Sequence, residues 1–491
     1  MTLVHRSIPR LSLIISSFLL VLCLFSTGCS RLSVHAAAQD TAAERPQAAT
    51  ETTEGAAGAG IFQYTASAAE PVSAVVHRFL PQSSLMLAGD LESAIRQQNN
   101  LGKALYLKKG QQIGIPTLEK QPIVEHPIVV PKDEEVRAVY LTGPMAGSAK
   151  GMAIVKRWQQ VGGNAVVFDI KDSDGSLSID FQHPLAPKST HHAIPNLPKY
   201  VRYLHSLKLH AIARIALFRD EHIARDHSEL AVRSRSTGQP WRENGKLVWT
   251  DPSNPKVQEY DLALAKWVAA SGADEIQFDY VRFPAEGNQQ DAKFAFETAH
   301  PNWKRPDVLV DFLDRAYSEL HSQGVLLSLD VFGVMAWQRS VDLAHTGQDI
   351  ARMAHYCDVL SPMIYPSHFF GMDGYAHPGD APEHFIQISM ERFEKATAGS
   401  GVVLRPWLQA FAWRTKTYSP EYIRKQVSTS HDNGGIGFLF WNARNDYSKP
   451  YAAMPEMTAN SSKYFGKIAP KLDAKPQESK TPEKKTDVAG E

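Results

Sequence analysis

Cysteine is almost missing from this chain: Cys23, Cys29 and Cys357 are the only three in 491 residues. That excludes a disulfide framework and any cysteine-based metal site, so stability has to come from packing. An excess of one charge is missing too. Lys plus Arg and Asp plus Glu number 52 each, which leaves no basic field for nucleic acid and no acidic surplus. No G-x-G-x-x-G follows an apolar run, which argues against a dinucleotide fold, and no G-x-S-x-G elbow marks a serine hydrolase. The 19 histidines include no H-E-x-x-H, and the adjacent His191 and His192 would face apart on a regular element. No metal and no cofactor is therefore expected.

What is present begins at the N-terminus. His5, Arg6 and Arg10 precede an apolar run from Leu11 to Phe25 and then Ser26-Thr27-Gly28-Cys29, the three-part layout of a secretory signal and too short for a stable span. Small residues ending in Gly-Cys resemble a bacterial lipobox, which implies lipidation of Cys29 and an exported protein held at an envelope membrane by its lipid. Ser26 stands where such boxes usually carry Leu, Val or Ile. Cleavage near Ala36-Ala37-Ala38, giving a secreted or periplasmic protein, is the alternative. After this 1–29 signal, residues 30–73 have few large apolar side chains and are expected to be a disordered tether, and 467–491 a disordered tail.

Residues 74–117 form a small segment that closes on GQQIGIP, with Gly110 suited to a turn and Pro116 ending a strand. Pro81, Ser84-Leu85, the helix-like stretch from Leu91 to Gln98, Asn99-Asn100-Leu101 and this closing run resemble a degenerate LysM module. The resemblance implies a β-linked N-acetylglucosamine polymer such as peptidoglycan as ligand. A packing appendage of the following domain is the other reading.

From Val136 onward, apolar and β-branched runs alternate with longer amphipathic stretches, the pattern of repeated βα units. Eight runs are present: VRAVYLT (136–142), NAVVFDI (164–170), HAIARIAL (210–217), ADEIQFD (273–279), VLLSLDV (325–331), DVLSPMI (358–364), VVLRPWLQ (402–409) and GIGFLFW (435–441). Helix candidates lie between them over 150–160, 198–207, 255–270, 306–322, 382–398 and 420–431, several opening on Pro, which suits a first helical turn. Eight alternations predict a closed (β/α)8 TIM barrel of the α/β class over residues 134–465.

Active sites of such barrels lie at the C-terminal mouths of the strands, and polar residues collect there. Strand two ends in Asp169, Lys171, Asp172 and Asp174, and strand three carries Arg214. Strand four gives Glu275, Gln277, Asp279, Tyr280 and Arg282; strand five gives Asp330; strand six, Tyr365 and His368; strand seven, Gln409; strand eight, Trp441 and Asn442. In DEIQFDYVRFP, alternation sends Glu275, Gln277 and Asp279 to one face and Ile276, Phe278 and Tyr280 to the other. Three polar side chains facing a packed lumen are costly unless they are hydrogen-bonded or bind something. A structural network pairing Asp279 with Arg282 or Arg214 is the plain alternative, as is an ion pair of Asp169 with Lys171 or Arg214.

The segments VVFDIKDSDG, EIQFDYVRFP, SLDVFG, LSPMIYPSHF, PWLQAF and GFLFWNA, in this order and spacing, resemble the putative glycoside hydrolase domain family first known as a domain of unknown function. The resemblance implies a barrel distantly similar to the α-amylase type, with a strand-four Asp as nucleophile and a strand-five acid as proton donor. Here those are Asp279 and Asp330, the latter standing where that pattern usually has Glu. Asp169 is the reserve carboxylate. Lys171, Arg214, Gln277, Tyr280, Arg282, Tyr365, His368, Gln409 and Trp441 are the expected substrate contacts. Glycoside hydrolysis commonly needs two such carboxyls, one protonated and one ionised. The reading is thus a glycosidase acting on a cell-envelope or extracellular polysaccharide. A non-catalytic glycan-binding envelope protein on the same barrel is the alternative.

Overall fold

A computed structural model describes residues 61–119, 122–189 and 191–466. The signal, Cys29, most of the tether and the tail lie outside the described residues. Among those described, no helix is long and apolar enough to cross a membrane.

Eight parallel strands close into a barrel: β1 (Val136–Leu141), β2 (Ala165–Lys171), β3 (His210–Ala216), β4 (Glu275–Asp279), β5 (Leu326–Phe332), β6 (Val359–Ile364), β7 (Val403–Leu404 and Trp407–Gln409) and β8 (Gly437–Trp441). Each falls within a residue or two of its apolar run. The runs are legible because the strands are covered on both sides; every residue of β2, β4 and β6 is buried. Pro406 cannot donate to a ladder and splits β7 into two pieces. The sheet continues through the break, since Arg405 N donates to Leu360 O and Leu439 N to Pro406 O.

Helices α1 (Ala149–Gln160), α2 (Leu197–Ser206), α3 (Pro255–Ala270), α4 (Arg305–His321), α5 (Ser340–Thr346), α6 (Pro382–Ala396), α7 (Pro420–Asp432) and α8 (Ser448–Ala459) surround the barrel. Asn254 caps α3 by accepting from Lys256 N, and Ser419 caps α7 by accepting from Tyr422 N. The connection from β5 to β6 departs from the pattern: instead of a long helix it carries the short α5 and a turn at Ile350–Met353.

The segment before the barrel has its own core, formed by Val72, Val75, Val76, Leu91, Ile95, Leu107, Ile113 and Ile115 among others. It contains two helices, Val72–Phe79 and Ala88–Gln98, and an antiparallel pair, Phe62–Thr65 with Gln112–Ile115. The first helix was not read from the sequence. Lys199 Nζ reaches Leu80 O at 2.7 Å and ties the unit to α2.

Deep in the lumen, Arg405 of β7 and Glu275 of β4 form an ion pair at 2.8 Å, both fully buried, with His210 at 3.1 Å from the same carboxylate. Burial pushes the Glu275 carboxyl up, but Arg405 and His210 outweigh it and hold it at about 2. Glu275 therefore belongs to an internal ion-pair network below the mouth.

The seam where β8 meets β1 depends on Gly437. Its φ is +76°, and a Cβ there would lie 2.1 Å from Val136 O and 2.6 Å from Val136 N. Both are backbone atoms of the closing strand and cannot step aside. Gly437→Ala is expected to cost at least about 2 kcal/mol, from left-handed strain and the clash together. Urea unfolding checks this, and a midpoint equal to the wild type would show that the seam does not need glycine.

Candidate active site

The mouth of the barrel is organised around one cation. Arg214 of β3 points into the lumen and donates through Nη1 to Asp169 of β2, and through Nη2 to Asp279 of β4. Its Nε lies 3.2 Å from Asp279 Oδ2 and 3.8 Å from Asp330 Oδ2, so those two oxygens are at most about 7 Å apart. Alternation placed Asp279 on the lumen side, and it does meet Arg214 there. The structure brings Asp169, Arg214, Asp279 and Asp330 together.

One guanidinium cannot neutralise three carboxylates in a buried site. Burial first, and then the Asp279 charge, push Asp330 well above the usual carboxylate range, against the pull of Arg214 and of the Trp407 indole N–H. That N–H donates to Asp330 Oδ1 at 2.6 Å. Asp169 is raised to about 7, again chiefly by burial, with Arg214 lowering and Asp172 raising it. Its second oxygen accepts the hydroxyl of Tyr140. Asp279 is held by two donors: Arg214 donates to one oxygen, and Tyr280 N donates to the other at 2.6 Å.

Tyr280 follows in the left-handed region at φ +52°, a conformation that costs a non-glycine residue on the order of 1–3 kcal/mol and clusters at functional sites. The turn takes its ring out of the strand alternation and sets it at the mouth, 6.1 Å from Trp249. Arg282 is buried with its guanidinium over Phe332, Trp249 and Tyr280, at 4.5, 4.8 and 5.1 Å. It does not pair with Asp279.

Two expected substrate contacts are placed elsewhere. Register along β2 slips between Asp169 and Lys171, with Asp169 opposite Arg214 and Lys171 opposite Ile215. This bulge reverses the alternation. Lys171 therefore turns outward and is fully buried, paired with Asp261 at 2.7 Å and Asp220 at 2.9 Å and donating to Leu217 O. Those carboxylates overcome the effect of burial and raise its affinity for its proton; it fastens α3 to the barrel. Gln409 is also consumed: it accepts from Ser367 N and donates to Phe411 O and Thr415 Oγ1, pinning the loops after β6 and β7.

Gln277 lies one layer below Asp279, with Nε2 3.4 Å from Ser361 Oγ. Tyr365, His368, Phe411, Trp413 and Trp441 form one aromatic wall, Tyr365 and Trp441 lying 5.6 Å apart and 31° from parallel. Burial, with the charge of Arg414, pushes His368 down to about 3, so its ring is neutral. Trp441 is half-buried and open at the mouth.

Tyr140 and Trp407 were missed because each sits inside an apolar run and reads as core. Glu243 and Glu286, from the loops after β3 and β4, were missed because loops carry no periodicity. Both are buried, each with one unpartnered oxygen, and burial together with the Glu243 charge raises Glu286 to about 7.

Residues 138–447 match a family model described as "Putative glycosyl hydrolase domain". No curated protein sequence matches the chain. Among solved structures, the chain is similar to a hypothetical protein from Ruminiclostridium thermocellum, at 32% identity over 39% of this chain and 97% of that one, with a TM-score of 0.35. It is also similar to the PgaB (BpsB) glycoside hydrolase domain from Bordetella bronchiseptica, at 15% identity over 68% and 100% of the two chains, with a TM-score of 0.50. A β-galactosidase from the psychrophilic Marinomonas ef1 aligns at 10% identity over 67% and 59%, also with a TM-score of 0.50. The last two likenesses are of fold.

If Arg214 is the cation on which these carboxyls depend, Arg214→Met is expected to destabilise the protein by about 3–5 kcal/mol near pH 8, as for a buried charge left without its partner. Asp169 and Asp330 have raised pKa values, so their protonated forms suit the fold, and the loss should shrink as pH falls below 7 and the carboxyls take up protons. Urea unfolding across pH 5–8 measures this, and a loss that does not vary with pH would contradict it.

Proposed function

The chain belongs to the family of putative glycosyl hydrolase domains, and on that premise we propose that it cleaves an O-glycosidic bond of a cell-envelope or extracellular polysaccharide, with Asp279 as nucleophile and Asp330 as proton donor. The observation that carries this reading is the Arg214 junction. It holds an oxygen of Asp279 and an oxygen of Asp330 within about 7 Å of each other, and burial with the Asp279 charge favours the protonated form of Asp330. Carboxyl separations of about 5–5.5 Å go with retention and about 6.5–9.5 Å with inversion; the retaining course is the one proposed.

In the first step the Asp330 O–H gives its proton to the leaving glycosidic oxygen as the bond from C1 to that oxygen breaks. An Asp279 oxygen bonds to C1 and forms a glycosyl ester. In the second step Asp330, now a carboxylate, takes a proton from water as the water oxygen attacks C1, and Asp279 is released. Arg214 orients Asp279 and keeps its charge, and Asp169, on the same cation, supports the positive charge that builds at C1. Trp441 offers a ring face to sugar C–H groups, and the buried Tyr365 packs against it. Export by the N-terminal signal, with lipidation at Cys29, would place this chemistry in a bacterial envelope, where peptidoglycan is one available polymer. The small unit before the barrel would then hold glycan near the mouth.

One observation favours a second reading. Asp330 is only 1% exposed, against 6% for Asp279, and a donor that cannot reach the glycosidic oxygen would leave a glycan-binding barrel without hydrolysis. The purified protein, assayed for reducing ends on a panel of polysaccharides, separates the two. Hydrolysis predicts that Asp279→Asn abolishes release and that Asp330→Asn lowers kcat roughly 10²–10⁴-fold, the usual contribution of general acid–base catalysis. Wild-type activity should fall as pH rises through the Asp330 pKa, because the donor loses its proton. Wild-type rates in Asp279→Asn would overturn the assignment, and binding without release would establish the second reading.

A further inference from the structure

A cleft of about 340 Å³ opens at the mouths of β7 and β8. That is the small end of the roughly 300–1,000 Å³ typical of ligand pockets. Phe411, Trp413 and Tyr418 line it from the loop after β7, and Trp441, Asn442 and Arg444 from the end of β8.

The cleft is built rather than incidental. Asn442 is buried and braces the loop after β8, donating to Ala410 O at 2.6 Å and to Asp446 O at 3.0 Å, and accepting from Arg444 N at 2.8 Å. Asn445 turns the same loop at φ +53°. On the opposite wall, the Arg414 guanidinium lies over the Trp413 ring at 4.6 Å and Phe370 meets it edge-on at 5.6 Å. Trp413 is thus fixed before anything binds. The rim is polar, with Arg444 and Asp446 exposed and Arg444 in no ion pair among the described residues.

Packed rings link the cleft to the strand ends. The buried Tyr365, directly after β6, lies 5.6 Å from Trp441, and Phe411 meets Trp441 edge-on at 5.3 Å. Phe411 and Trp441 are both walls of the cleft. A molecule reacting at Asp279 and extending over β8 would lay its next portion here. Ring faces with hydrogen-bonding groups at the rim suit a pyranose, whose flat C–H face and equatorial hydroxyls need both.

We propose that this cleft is a distal sugar-binding subsite, so that the barrel acts on an extended glycan chain running from Asp279 across Trp441 to Trp413. The proposal rests on the glycan-acting reading above.

The test uses an array of oligosaccharide ladders, from disaccharide to octasaccharide, prepared from chitin, cellulose, xylan, β-glucan and peptidoglycan glycan strands. Wild type, Trp413→Ala and Tyr418→Ala are compared for binding and for reducing ends released. Wild-type affinity should rise with length on at least one ladder. Trp413→Ala should lose about tenfold on the longer members, the scale of one large aromatic contact, and little on the disaccharide. Tyr418→Ala should act in the same direction.

Unchanged length dependence in both variants would overturn the subsite while leaving the carboxylate assignment standing. Loss of length dependence without any hydrolysis would support the subsite and remove the hydrolase reading. Wild-type binding to no ladder would overturn both.

Discussion

Everything at the mouth of this barrel depends on a charge imbalance: one buried guanidinium, Arg214, serving three aspartates from strands β2, β4 and β5. Three ionised carboxyls on one cation in a site closed to solvent would carry uncompensated charge, which a protein interior relieves by leaving protons on some of them. Arg214 is shared between Asp169 and Asp279, its closest partners. Asp330 stands farther off, takes its hydrogen bond from the neutral Trp407 indole, and keeps a proton into the range where an ordinary aspartate has lost it.

The layer beneath has a different purpose. Glu275 and Arg405 neutralise each other across the lumen, with His210 on the same carboxylate. Buried ion pairs are weak evidence for stability but are strongly missed when halved. Here the pair fills the lumen below the site with matched charge, so the unmatched charge is confined to the open end. Tyr280, held left-handed directly after Asp279, donates its N–H to that carboxylate and fixes its plane.

The barrel was legible because its strands are covered on both faces and rich in apolar residues, and its helices open on proline and cap residues, as at α3 and α7. The β5 to β6 connection was not, since α5 is too short to show a period. At the site, Asp279 and Arg214 could be placed by alternation, which is a property of strands. Lys171 could not, because the bulge at Ile170 shifts its parity and no local sequence signal marks a bulge. Gln409 stands where it was expected, but its hydrogen bonds are spent on two loops that are distant in sequence. Tyr140 and Trp407 matter through single polar atoms on side chains that otherwise count as core, and Glu243 and Glu286 meet only when two long loops fold over β4.

The division of protons among the aspartates is the central claim, and it is open to direct observation in the protein without substrate. With aspartate labelled at the carboxyl carbon with ¹³C, and Asp330 assigned by the signal lost in Asp330→Asn, its chemical shift followed from pH 3 to pH 8 reports its protonation. A signal still at the protonated position at pH values where an unperturbed aspartate is ionised is the predicted result. A titration near pH 4, where an unperturbed aspartate changes state, would contradict the account.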